Sequence, residues 1–434
     1  VAALKGDARM AEVLARALAD QRSLPTEAVE LHLPWGRVRL TADDVADAQR
    51  EAASRRLDDT AAREVYRTLL ARRVEARLLP QYRGEAPAGS DFARDAKNDR
   101  VFQRLVTRTW PTTSAAALVR RVLGNRRAAA TAADGLLDRD ELALLHRQPA
   151  RRLDDERWTA ADIPLLDEAD ALVGGVRATY GHVVVDEAQD LSAMALRMVA
   201  RRSPSGSITV LGDLAQATAP GAQSSWEEVA AALAAPAEST AAALAAPAES
   251  TAAALAAPGH AIAELEIGYR VPAPILDLAS RLLPLAAPQL APSRSIRTVG
   301  DDPWITRVAP PDDLLAELVR RVGVLGEAWG SSGVVAPGRW HAPALEALAA
   351  ARLDVAAGDR GGLGHQVAVL EPPTAKGLEF DAVVVVEPAD FLVDGPTGAR
   401  LLYVAMTRSV QHLSVLHADP LPAVLAGGHN SRTY

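Results

Sequence analysis

The run Val183, Val184, Val185, Asp186, Glu187, Ala188, Gln189, Asp190 carries three β-branched apolar residues straight into a pair of carboxylates. Such a run reads as a buried strand, and the carboxyl end of a parallel strand is where α/β proteins bind ligands. An acidic pair there can hold Mg²⁺, directly or through water, and one member can orient or deprotonate a water that attacks a γ-phosphate. The same pair also suits the first turn of a following helix, for dipole reasons alone.

Four further strings carry comparable chemistry. In LGDLAQAT (211 to 218), Gly212 lets backbone approach closely, Asp213 can bond within the turn, and the Gln216 amide can read both a phosphate oxygen and a water. In IGYRVPAPI (267 to 275), Arg270 suits a transferring phosphate and Tyr269 a base. In AKGLEFDAVVVVEP (375 to 388), Lys376 and Gly377 form a loop before a strand, and Glu379 is placed to accept from a sugar hydroxyl. In LLYVAMTR (401 to 408), a helix-compatible run ends in Arg408, a second charge for a phosphate. Each string alone is compatible with ordinary turns, packing and surface charge.

The elements needed to position these residues are those of an α/β chain. Apolar runs of four to six residues recur at 182 to 187, 207 to 213, 305 to 309, 333 to 337, 366 to 372, 382 to 388 and 412 to 417. Separated by helical stretches, they predict parallel sheets. The pattern predicts an incomplete α/β unit made of residues 1 to 20 and 152 to 229, and a second unit over 260 to 434. Residues 21 to 151 are Arg-rich and mostly helical in period, with a break at Trp110-Pro111, and are expected to be an all-helical insertion. Between the units, AAALAAPAEST at 230 to 240 recurs at 241 to 251. Its Pro236 and Pro247 should break any continuous helix, so 230 to 259 is expected to be an exposed linker without chemistry.

Composition narrows the setting. The chain has 434 residues, enough for two or three domains. It contains no cysteine, which excludes disulfides and thiolate metal sites and suits a reducing cytoplasm. No apolar run is long enough to span a membrane, and no secretory leader opens the chain. The net charge of -8 requires any nucleic-acid contact to come from local basic patches.

The five strings DEAQD, GDLAQ, YR, KGLEFD and YVAMTR occur in this order, and in that order the chain resembles the UvrD/Rep-like superfamily 1 helicases. The resemblance implies two RecA-like domains with a nucleotide between them. It implies ATP, with GTP as the alternative, and Mg²⁺ bound by Asp186, with Glu187 polarising the attacking water. It implies Gln216 sensing the γ-phosphate beside Gly212 and Asp213, Tyr269 near the base, and Arg270 and Arg408 on the γ-phosphate. Glu379 would hold the ribose, and Gly377 would permit an unusual backbone angle in the loop before that residue. Three segments, ALKGDARMAEVLARAL, RLVTRTWP and WTAADIPLLDEADALVGG, are similar to the helicase-D type, which acts on bacterial RNA polymerase. That likeness implies a monomeric, cytoplasmic motor that binds DNA and recycles stalled polymerase. Only about 100 residues separate Arg270 from Lys376, which leaves little room for the duplex-handling domain of unwinding members.

The chain departs from the pattern in places. Gly268 stands where the family has Asn, and Pro372, Pro373 and Thr374 stand where strand-contacting residues are usual. Trp226 is the nearest substitute for the aromatic that follows GDLAQ, with base stacking or core packing as its two readings. A phosphate-cradling Gly-Lys-Ser/Thr loop is absent: Lys5 and Lys376 precede Gly, and Lys97 precedes Asn. The family order places that loop upstream of Val1, so this chain by itself is expected to hydrolyse essentially no ATP. The alternatives are an ATP-dependent DNA helicase of repair and a catalytically inactive binding module.

Overall fold

The computed structural model describes residues 1–81, 91–238, 261, 263–298, 300–358 and 364–426. The chain divides into two compact units: Val1–Gly212 with Ala219–Pro258, and Asp213–Thr218 with Gly259–Tyr434. The cut falls inside GDLAQ, so Asp213 and Gln216, expected at a strand end of the first unit, belong to the second.

In the first unit, the segment expected to be all helical begins with a hairpin, β1 (Val29–Leu33) and β2 (Gly36–Leu40), paired antiparallel. Period-two alternation builds it: Leu31, Leu33, Val38 and Leu40 point inward, and Glu30, His32, Arg37 and Arg39 are exposed. The hairpin packs with the helices Asp59–Leu78 and Arg100–Thr109 around Tyr66, Leu70, Phe102 and Trp110. Helix starts follow the capping side chains. Thr41 and Asp44 form a capping box, and Asp58, Asp99 and Ser114 each accept from backbone N–H groups of the turn they begin. A second core joins the helix Arg9–Ala19 to the helices Ala115–Gly124 and Ile163–Gly174 through Met10, Leu14, Leu118, Leu123 and Leu165.

Strands β3 (Val183–Val185) and β4 (Ile208–Val210) pair in parallel and carry the first two strings at their carboxyl ends. The expectation of a buried strand fails here. Val185 is buried but Val184 is 64% exposed, because among the described residues this sheet has two strands and one open face. The helix Trp226–Glu238 enters the repeat, and Pro236 falls in its last turn, so the expected break comes two residues late. The remainder of the repeat lies outside the described residues.

In the second unit, β5 (Ile267–Gly268) and β6 (Arg294–Ser295) form a small parallel pair. The main sheet holds β7 (Trp304–Arg307), β8 (Ser332–Val335), β9 (Val355–Ala357), β10 (Val367–Leu370), β11 (Phe380–Val386) and β12 (Ser409–His417). All neighbours are parallel, in the order β7-β12-β11-β8-β10-β9. The Val383-to-Val386 run is apolar at every position because both faces are covered. Val383 and Val385 meet Ile275, Leu402 and Met406 on one side. Ala382, Val384 and Val386 meet Leu318, Val322 and Leu348 on the other. This doubly covered parallel sheet is the α/β architecture that the apolar runs predict, and it is consistent with the RecA-like domain that the resemblance implies. Among the described residues, no helix is long and apolar enough to cross a membrane.

Candidate functional site

The expected site residues fall into two groups, one in each unit. In the first unit, β3 releases Asp186 and Glu187 at its carboxyl end, both exposed. Asp186 Oδ1 accepts from the Glu187 amide at 2.8 Å, and Glu187 takes a left-handed backbone, φ 53°. That turn brings Glu187 Oε2 to Gln189 Nε2 at 2.6 Å. Gln189, absent from the sequence-based site, is fully buried and joins the first two strings. A Cβ on Gly212 would lie 2.3 Å from Gln189 Oε1, so glycine lets the two strand ends close without displacing that buried amide. Two backbone bonds complete the closure, Leu211 N to Val185 O at 2.8 Å and Ala188 N to Leu211 O at 3.0 Å.

The acidic pair therefore has a rigid footing, with Glu187 oriented by a buried amide. Among the described residues, no three His, Asp or Glu side chains converge as a metal cage. The exposed Asp186 carboxylate fits the other way of holding Mg²⁺, in which one or two carboxylates share the ion with substrate phosphates. Trp226 packs against the cluster of Leu196, Val229 and Ala232, which is the core-packing reading of that residue.

In the second unit, one turn organises the other group. Lys376 Nζ donates to the Gln216 carbonyl at 2.6 Å. Arg408 Nη1 reaches the Leu378 carbonyl at 3.5 Å, and Glu379 Oε1 pairs with Arg270 Nη1 at 2.6 Å. The residues 376 to 379 thus touch Gln216, Arg408 and Arg270 in succession. Gly377 makes the turn possible at φ 78°, the unusual backbone angle expected of it.

The contacts of Gln216 define its position closely. Its Nε2 donates to Asp213 Oδ2 at 2.8 Å, and its Oε1 accepts from Arg408 Nη2 at 3.2 Å. Asp213 Oδ1 also accepts from the Ala215 amide at 2.9 Å. Arg408 is buried at the end of the helix Gly395–Thr407 and donates from Nε to the Val404 carbonyl at 3.1 Å. Tyr403, one turn earlier, has its hydroxyl pushed up to about 12, by burial first and by the charge of Asp213 second, with Arg408 opposing. Arg400 adds a bond to the Ala217 carbonyl at 3.0 Å. Sequence reasoning missed Lys376, Arg400 and Tyr403 as supports, although Lys376 and Tyr403 lie inside the strings it selected and Arg400 directly precedes one.

Arg270 and Glu379, expected on a phosphate and a ribose respectively, hold each other, and both are about half exposed. Tyr269 projects with 70% exposure. A Cβ on Gly268 would meet nothing closer than Leu276 Cδ2 at 3.8 Å, so the backbone does not require glycine where the family has Asn.

Residues 369–416 match the family described as UvrD-like helicase C-terminal domain. The match runs from β10 through β12 and includes Lys376, Gly377, Glu379 and Arg408. Among solved structures, the chain is similar to the C-terminal domain of a possible DNA helicase from Lactobacillus plantarum WCFS1. Identity is 21% and the TM-score 0.30, over 37% of this chain and 92% of that one. No curated protein matches the chain.

Proposed function

We propose that the chain works as a nucleotide-driven motor of the superfamily 1 type that remodels nucleic-acid complexes, with release of stalled RNA polymerase as its task. The observation that carries this reading is the turn 376 to 379, which ties Gln216, Arg408 and Arg270 into one constellation. Two guanidiniums and an amide converging on one turn suit a group whose negative charge grows as a bond breaks. When bound, a Mg²⁺-nucleotide would supply the phosphoanhydride bond and a metal charge to offset its phosphates, with ATP preferred and GTP as the alternative.

The roles of the chain's own residues follow from their contacts. Asp186 offers an exposed carboxylate to the metal. Glu187, fixed by Gln189, orients a water. Gln216 links the phosphate position to Arg408, so a change at one moves the other. Arg270 must leave Glu379 to reach a phosphate, which frees that carboxylate for a sugar hydroxyl. Tyr269 is exposed for a base.

Polymerase release is favoured over duplex unwinding because the interval from Arg270 to Lys376 is occupied, among the described residues, by β6 to β10 and the helices Leu314–Ala328 and Gly338–Ala350. Those elements belong to the unit itself. One sequence fact favours a second reading, an inactive binding module: no lysine precedes Ser or Thr.

The test is binding of the 434-residue chain to core RNA polymerase, with Mg²⁺-nucleotide binding measured in its presence and absence, since the chain by itself is expected to hydrolyse essentially none. The proposal expects a complex that Arg408→Ala leaves intact while weakening Mg²⁺-nucleotide binding. Nucleotide binding strengthened by DNA without polymerase would point to a repair helicase. A polymerase complex indifferent to nucleotide would point to the inactive module.

A further inference from the structure

The helix Arg100–Thr109 presents a feature that the motor reading does not use. Arg100, Arg104 and Arg108 are spaced four residues apart and all are exposed. They form one ladder along the helix, with steps of about 6 Å and a span of about 12 Å. The ladder borders a groove of about 930 Å³ with Val29, Val101 and Leu105 as its apolar wall and no carboxylate in its lining among the described residues. Gln103 and Thr107, also exposed, form a parallel uncharged polar row on the other flank of the arginines. None of the three guanidiniums has an ion pair among the described residues, although many other arginines do, Arg9, Arg197 and Arg339 among them. In a chain of net charge -8, a basic row this regular is a local exception.

We propose that this groove binds the sugar-phosphate backbone of a single nucleic-acid strand. Guanidinium forks at that pitch can each take one of three consecutive phosphates. Gln103 and Thr107 add uncharged hydrogen bonds to phosphate or sugar oxygens. The apolar wall favours a single strand over a duplex, because an unstacked base or sugar can rest on the partly exposed Val29 and Val101, whereas a duplex keeps its bases inside. The inference is independent of the nucleotide site, since it uses residues that belong to neither half of that site.

The experiment is fluorescence anisotropy with the 434-residue chain, without nucleotide, using a labelled oligothymidylate of about 16 nucleotides. The variant R100E/R104E/R108E is compared with R126E/R127E/R139E, which makes the same charge change at exposed arginines elsewhere in the unit. The expected result is at least about tenfold weaker binding for the ladder variant, and a salt slope smaller by about 2. The control should keep most of its affinity. Arg104→Ala, which removes one charge from an exposed position, should lose about a third of the slope change and guards against misfolding of the triple variant. Equal affinity in parent and ladder variant, equal loss in ladder and control, or binding only to duplex would each overturn the proposal. Displacement by polyglutamate with no oligonucleotide binding would overturn it in favour of an acidic protein partner. Because no nucleotide is present, failure here leaves the motor proposal standing, and failure of the motor proposal leaves this result unaffected.

Discussion

Replacing Glu168 with Gln tests the charge cluster that joins two helices of the first unit. Glu168 is buried on the helix Ile163–Gly174 and faces the helix Ala193–Ala200. It accepts from Arg197 Nη2 at 3.1 Å and Nε at 3.3 Å, and from Arg201 Nη1. Burial alone would raise its pKa, but the charges and hydrogen bonds of Arg197 and Arg201 outweigh that and hold the carboxyl below its ordinary range. Glu168→Gln keeps the shape and removes the charge, so the buried Arg197 loses this counter-ion while Arg201 keeps Asp167. Removing one partner of a buried pair costs about 3–5 kcal/mol, and the surviving Asp167 contact places this site near the lower end. For a unit of this size about 3 kcal/mol lowers the melting temperature by roughly 6–12 °C. The pH dependence has a definite sign. A depressed folded pKa contributes stability that is present above the unfolded value of 4.5 and is lost as pH falls through the folded value. The deficit of E168Q should therefore be constant from about pH 6 to 8 and shrink below about 4.5. Urea titration and calorimetry across that range read it directly. A deficit under about 1 kcal/mol at pH 7, or one that grows in acid, would refute the reasoning.

Three further outcomes are expected. Gly212→Ala should destabilise the first unit by about 1–3 kcal/mol, because its Cβ meets the Gln189 amide oxygen, and Gln189→Ala in the same chain should recover much of the loss in urea midpoint. Gly377→Ala should cost about 1–2 kcal/mol from backbone strain alone, because no atom lies within 4 Å of the new Cβ; an unchanged midpoint would show that the turn relaxes freely. Glu387 is buried, Oε2 has no hydrogen-bond partner, and burial raises its pKa, while Oε1 accepts from the Ala418 amide. Glu387→Gln should thus stabilise the second unit by about 1 kcal/mol at pH 7, and the gain should vanish below the ordinary value of 4.5, where both side chains are neutral.

What the sequence reveals and what it hides divides along the range of the interactions. The six-stranded sheet was legible because a strand covered on both faces needs apolar residues at every position, as in Val383 to Val386. The helix starts at Asp58, Asp99 and Ser114 went unread, although their capping acts within three residues. The hairpin at Val29 to Leu40 carried its signal too, in the alternation of Leu31, Leu33, Val38 and Leu40. Frequent arginines and the helical period downstream masked it. Strand β9 is three residues long, too short for its alternation to be distinguished from a loop.

The positions of the five strings were readable, but their pairings were not. Asp186 and Glu187 were placed at a strand end by local pattern, whereas the packing of Gln189 against Gly212 depends on a residue more than twenty positions away. Gln216 was assigned to the unit whose strand precedes it, because chain proximity is the only guide a sequence provides. Its actual partners, Lys376 and Arg408, lie 160 and 192 residues further on. The same holds for Arg270, which a sequence sees as a free cation and the fold places against Glu379. A charge of the right type at the right motif position therefore identifies a site residue, but it leaves open whether that charge is available. Availability depends on which other motif residue is close enough to compete for it, and here the competitor of Arg270 is the carboxylate expected to serve the same ligand.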